Sequence, residues 1–118
     1  MQPFRYQAVA HWLNDRAQET PNGQLIMVLP SISVAPSVEE FCNVVQSYDL
    51  DFKKDGPHSG KWSNGARLTF YNSGHPETLR GPEAHYSAVL YGVVMDPSIR
   101  ENILICTRLG DNPEVLFS

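Results

Sequence analysis

Leu25-Ile-Met-Val-Leu29 is an unbroken apolar run between Gly23-Gln24 and Pro30. Its length is that of a strand buried on both faces, and Pro30 ends or bends it because proline has no N–H to give a ladder. Ile32 and Val34 read either as an edge continuation of that strand or as a structured loop between Pro30 and Pro36.

Upstream of this run, Phe4, Ala8, Val9, Trp12, Leu13 and Ala17 recur at helical spacing. They predict a helix over Pro3–Glu19, with Trp12 on its core stripe. Thr20-Pro-Asn-Gly23 stops it. Downstream, Ser37-Val-Glu-Glu40 has the spacing of a capping box, and a second helix is expected to follow with Val38, Phe41, Cys42 and Val45 on its buried face, running out near Tyr48. Beyond that point Leu50 and Phe52 alternate with Asp51 and Lys53, so period two replaces period 3.6.

From there to the end the pattern is one of strands and turns. Asp55-Gly56 and Ser63-Asn64-Gly65 are turn signals, and Asn-Gly is a strong hairpin cue. Ala66–Asn72 alternates, with Leu68 and Phe70 on one face and Arg67, Thr69 and Tyr71 on the other. A long loop follows over Asn72–Glu83. His85–Met95 is apolar on both faces, as a central strand would be. Asp96-Pro97 turns the chain, Ile103–Cys106 reads as another strand, and Val115–Phe117 closes the sheet. The expected fold is a single α+β domain over residues 1–118, in which the two helices of the N-terminal half pack on one face of a mostly antiparallel sheet of five to six strands.

Composition sets bounds on function. The chain has 118 residues, 42% of them hydrophobic and 19% charged, a balance suited to one packed domain that buries roughly two-thirds of its unfolded surface. No run approaches the ~20 apolar residues of a membrane span, and Met-Gln-Pro-Phe-Arg-Tyr-Gln lacks the apolar core of a signal peptide. Cys42 and Cys106 sit in apolar settings with no C-x-x-C partner and read as buried thiols. The expectation is a cytoplasmic protein.

The net charge of −4 argues against a general nucleic-acid binder. Charge is unevenly spread, however. Residues 57–81 hold Lys61, Arg67 and Arg80 against Glu77, together with His58 and His75, and His85 lies just beyond. An acidic body with one mildly basic segment suits a small anion at that segment, or a basic protein partner elsewhere.

Three kinds of chemistry can be weighed in the same segment. Gly56-Pro-His-Ser-Gly-Lys61 fails as a phosphate loop, because it has three residues between its glycines where four are needed, and Trp62 where Ser or Thr is needed. His58, His75 and His85 with Glu77 or Glu83 are residue types that ligate metals, but no pair has the tight spacing that makes such a site specific; no metal and no cofactor is expected. General acid–base catalysis by His58, His75 or His85, assisted by Arg67 and Tyr71, is the best enzymatic reading, a small hydrolase or nuclease.

The leading expectation is a non-catalytic binding module of inhibitor, immunity or adaptor type, homo-oligomeric or not. It would act through one sheet face and the 57–83 loops on a protein or a small anionic ligand, with Lys61, Trp62, Arg67, Tyr71, His75 and Arg80 as the contact residues.

Overall fold

The structure, a computed structural model, describes residues 3–29, 34–46, 51–90 and 97–117. Helix α1, Pro3–Glu19, has the bounds that its apolar spacing predicts. Tyr6, Val9, Ala10, Leu13 and Ala17 form its buried stripe. After the helix, Asn22 adopts a positive φ of 60°, a conformation that asparagine tolerates, and the chain turns into strand β1, Gln24–Leu29. Residues 25–29 of β1 are all buried.

Helix α2 covers Val34–Gln46 and buries Phe41 and Val45 one turn apart. It begins three residues before the expected cap, so Ser37 lies inside the first turns and Val34 belongs to a helix rather than to a strand. Pro36 falls in the first turn, where a missing N–H costs nothing. Ile32 and Tyr48 lie outside the described residues, as does the 91–95 part of the expected central strand.

Strands β2, Lys53–Gly56, and β3, Ser59–Lys61, form a tight hairpin, and Trp62–Ala66 leads from it into β4, Arg67–Asn72. A 3-10 turn at Pro76–Leu79 interrupts the long loop before β5, Tyr86–Val89. Helix α3, Pro97–Cys106, and the edge strand β6, Glu114–Phe117, complete the chain.

The protein is α+β, with a sheet ordered β2-β3-β4-β1-β5-β6. Both pairings on the hairpin side, β2 with β3 and β3 with β4, are antiparallel. Strands β4, β1, β5 and β6 run parallel to one another. The sheet is therefore mixed, and it contains more parallel pairing than its turn signals predict. Parallel neighbours need crossovers, and α2, the 3-10 turn and α3 supply them.

Ile103–Cys106 is helical, not a strand. Ile99, Ile103 and Cys106 are buried at helical spacing, but Leu104 and Ile105 are exposed apolar residues that fill what would otherwise be the polar side of the pattern. A continuous apolar run then looks like a strand although only one side of it is covered.

The alternation along β1 divides the core. Leu25, Met27 and Leu29 face α1 and α2, together with Leu68, Phe70, Phe52 and Trp62. Ile26 and Val28 face α3 and the 3-10 turn, together with Leu79, Ala84, Ile99, Ile103 and Cys106. Cys42 packs against the first cluster and Cys106 belongs to the second, so the sheet separates two free thiols. No helix among the described residues is long and apolar enough to cross a membrane.

Candidate functional site

Among the described residues the α3 face is only partly covered. Leu68 and Phe70 of β4 point towards α1 and α2, which leaves Thr69 and Tyr71 on the other face. There they form the floor of a cleft of about 430 Å3, lined also by His58, Phe70, Asn72, His75 and Thr78. The β2–β3 turn brings His58 to this place. Because β3 runs antiparallel to β4, that turn lies beside the carboxyl end of β4, and the carbonyl of His58 accepts the N–H of Phe70 at 2.8 Å.

The loop after β4 builds the other wall. Asn72 Oδ1 accepts the N–H of Gly74 at 2.7 Å, a side-chain-closed turn that reverses the chain just past the strand. The Thr78 hydroxyl donates to the His75 carbonyl at 2.7 Å and fixes the 3-10 turn against that loop. His75 Nδ1 stands 3.4 Å from Glu77 Oε1 on an exposed surface. Tyr71 packs on the second core cluster, and burial raises its phenol above the ordinary tyrosine range, so the ring enters the cleft with its proton on.

Two of the three candidate histidines thus share a cleft with Tyr71. The third does not. His85 precedes β5 at the amino-terminal end of the parallel strands, where its Nδ1 accepts the Gln24 N–H at 3.0 Å. Arg67 lies at that same end, since it is the first residue of β4 and pairs with Gln24. Its guanidinium meets Asp55 at 2.7 Å, and the other Asp55 oxygen accepts the Ser59 hydroxyl at 2.7 Å. The sheet therefore splits the expected acid–base set between two ends.

Trp62 requires a correction. Its side chain is 1% exposed, its Nε1 donates to Asn14 Oδ1 at 2.8 Å, and its ring packs 4.6 Å from that of Phe52. It is an anchor of the core and is not available as an exposed contact. Trp12, expected in the core, is instead half-buried, edge-on to Tyr86 at 6.1 Å with the Arg16 guanidinium 5.3 Å from its centroid.

Lys61 borders a separate groove with Asp51, Lys53, Asp55 and Ser63, in which charges of both signs alternate. Arg80 is exposed just past the 3-10 turn. Of the three cations in the 57–81 segment, Arg67 is paired with Asp55. Among the described residues no three His, Cys, Asp or Glu side chains come together as a metal site would require.

Asn72 and Thr78 are cleft residues that the sequence pattern does not single out. Asn72 precedes Ser-Gly at the end of a strand, which is a turn signal, but nothing in the sequence says that the turn faces His58.

The sequence matches no protein-family model and no curated protein. The fold has a likeness among solved structures. The large terminase ATPase domain of a Thermus phage superposes with a TM-score of 0.58 at 10% sequence identity, over 98% of this chain. The chain spans 55% of that domain's length. The likeness is one of fold.

Proposed function

We propose that this chain is a non-catalytic binding module whose cleft takes a flat, hydrogen-bonding ring, carried by a small ligand or by a side chain of a partner protein. One observation carries the reading: His58, Tyr71 and His75 line one cleft together with Thr69, Asn72 and Thr78. The lining combines three ring side chains with hydroxyl and amide groups, and its volume lies within the range of small-ligand sites. It also lies beyond the carboxyl end of a parallel strand, where open sheets of this kind bind ligands. A ring is favoured over a simple anion because Arg67, the strongest cation expected there, is held by Asp55 at the other end of β4. Size and acidic charge suit an intracellular adaptor, inhibitor or immunity-type protein. The fold likeness adds nucleoside bases to the rings worth trying, although this sequence contains no phosphate loop.

The test is a ligand panel followed by nuclear magnetic resonance and thermal shift, with nucleosides, indole and phenol derivatives set against phosphate and sulfate. Saturable shifts at His58, Tyr71 and His75 with ring compounds, lost in Tyr71→Ala, support the reading. A response to the inorganic anions alone, or to none of the compounds, overturns it.

The His75–Glu77 contact beside His58 favours a second reading, a hydrolase with an acid–base histidine in the same cleft. Turnover of generic phosphodiester or ester substrates that disappears in His75→Ala and persists in His85→Ala would replace the binding module with that enzyme.

A further inference from the structure

The sheet has two edges, and they are finished differently. Strand β2 ends the sheet with Lys53, Lys54 and Asp55, all exposed, and its register slips between Lys54 and Gly56. Charges and a bulge are the usual protections of an edge against unwanted pairing. Strand β6 has neither beyond Glu114. Val115 and Leu116 are half-buried, Phe117 is 38% exposed, and the three exposed large apolar side chains among the described residues, Leu104, Ile105 and Phe117, all lie on α3 and β6. We propose that the β6 edge is a self-association site, at which β6 pairs antiparallel with β6 of a second copy of this chain.

Ladder geometry makes the strand self-complementary. The Glu114 N–H donates to the His85 carbonyl, so residue 114, and by alternation Leu116, aim their peptide groups at β5. The N–H and C=O groups of Val115 and Phe117 then point outward. Side chains alternate as well: Leu116 packs on the first core cluster and Val115 on the second.

A two-fold axis through Leu116 sets Val115 opposite Phe117 of the other copy, and Phe117 opposite its Val115. Opposed residues lie on the same side of the continued sheet, as an antiparallel ladder demands. All the outward peptide groups of Val115 and Phe117 are satisfied together. Both Val115 and Phe117 side chains then meet on the α3 face. Arg100 already lies over the Phe117 ring at 5.0 Å and rims this apolar strip with positive charge. An isologous contact of this kind closes on itself and gives a dimer rather than a fibre. A four-residue edge is small beside the ~800 Å2 per partner of a stable interface, so the dimer is weak and forms with rising concentration.

Sedimentation velocity from micromolar to millimolar protein tests this. The expected result is a reversible rise in mass from monomer toward dimer. Val115→Pro removes an outward N–H that β5 does not use; it lowers the thermal transition modestly through lost packing on the second cluster and should weaken association roughly tenfold or more, as loss of inter-chain hydrogen bonds implies. Phe117→Lys changes an exposed side chain and should act in the same direction, which keeps the test informative if Val115→Pro fails to fold. A chain monomeric throughout overturns the proposal, as does a dimer that tolerates Phe117→Lys.

Discussion

On the α1 and α2 face, strands β4, β1 and β5 contribute to a continuous core in which Phe41, Phe52, Trp62 and Phe70 interlock; on the opposite face, the described cover consists of α3 and the 3-10 turn, and it leaves Thr69 and Tyr71 at the floor of an open cleft. The same strand, β4, serves both. Leu68 and Phe70 belong to the first core cluster, whereas Thr69 and Tyr71 line the cleft and Tyr71 also packs on the second cluster.

Substitution on the closed face should produce the largest effect. Trp62→Ala removes a fully buried ring and leaves Asn14 Oδ1 without its donor, so urea denaturation should show a loss of about 3–5 kcal/mol. Gly60→Ala should also destabilise strongly, because a Cβ there would meet the ring of Phe52. A loss below 1 kcal/mol for Trp62→Ala would mean that the aromatic cluster is not the anchor of this face.

Tyr71→Phe sharpens the comparison from the open side. The ring keeps its packing on the second cluster while the hydroxyl is lost, so the stability change should stay within about 1 kcal/mol. Ligand-induced shifts should weaken all the same. Equal losses of stability and binding would show that Tyr71 is a core residue like Trp62.

These two aromatic residues show where sequence reading works and where it stops. The alternation of Leu68 and Phe70 with Thr69 and Tyr71 is legible, because period two assigns faces without any knowledge of neighbours. Helix α1 and strand β1 are legible for the same reason: their apolar spacing is complete within one segment. Trp62 stands alone in a turn-rich stretch, and its burial depends on Asn14, forty-eight positions away, which no local pattern reveals. Helix α3 was obscured by Leu104 and Ile105, whose exposure belongs to the surface of the fold rather than to the helix itself. The convergence of His58 with His75 depends on an antiparallel β3 and a turn closed by Asn72, and the separation of His85 depends on parallel pairing between β1 and β5.

High pH offers a milder way to probe both faces, through Tyr6 and Cys42 on one and Tyr71 and Cys106 on the other. Burial, with smaller contributions from Glu40 and Cys42, holds the Tyr6 phenol far above its ordinary value of 10.0, and burial raises Tyr71 as well. Both therefore keep their protons in the folded chain at pH values where the unfolded chain has lost them. Stability from these groups is complete below about pH 10 and falls as pH rises above it. Cys42 and Cys106, also raised by burial from 9.0, add a loss of the same sign that begins slightly lower. Urea midpoints should decline between about pH 9 and 11, and less steeply in Tyr6→Phe. A flat profile would contradict the burial of Tyr6.

The smallest effect is expected from Arg67→Ala. The Arg67–Asp55 pair is well formed, but Arg67 is 44% exposed, so solvent screening limits its contribution to at most about 1 kcal/mol. Thermal shifts in low and high salt should differ little between this variant and the parent. Ring-ligand binding in the cleft should be unchanged, since Arg67 stands at the other end of β4.

The position of β1 has a consequence in time. Its partners are Arg67–Asn72 on one side and Tyr86–Val89 on the other, at least forty positions further along the chain. During synthesis Leu25-Ile-Met-Val-Leu29 leaves the ribosome before either partner and must wait for both. At ordinary elongation rates of ~5–20 residues per second, the wait lasts several seconds. Throughout that interval the most apolar stretch of the N-terminal half has no ladder to join, and short apolar runs in that state are the ones that associate with their own kind. Newly made chains should therefore depend on holding factors at this segment, and misfolded material should carry it at its centre.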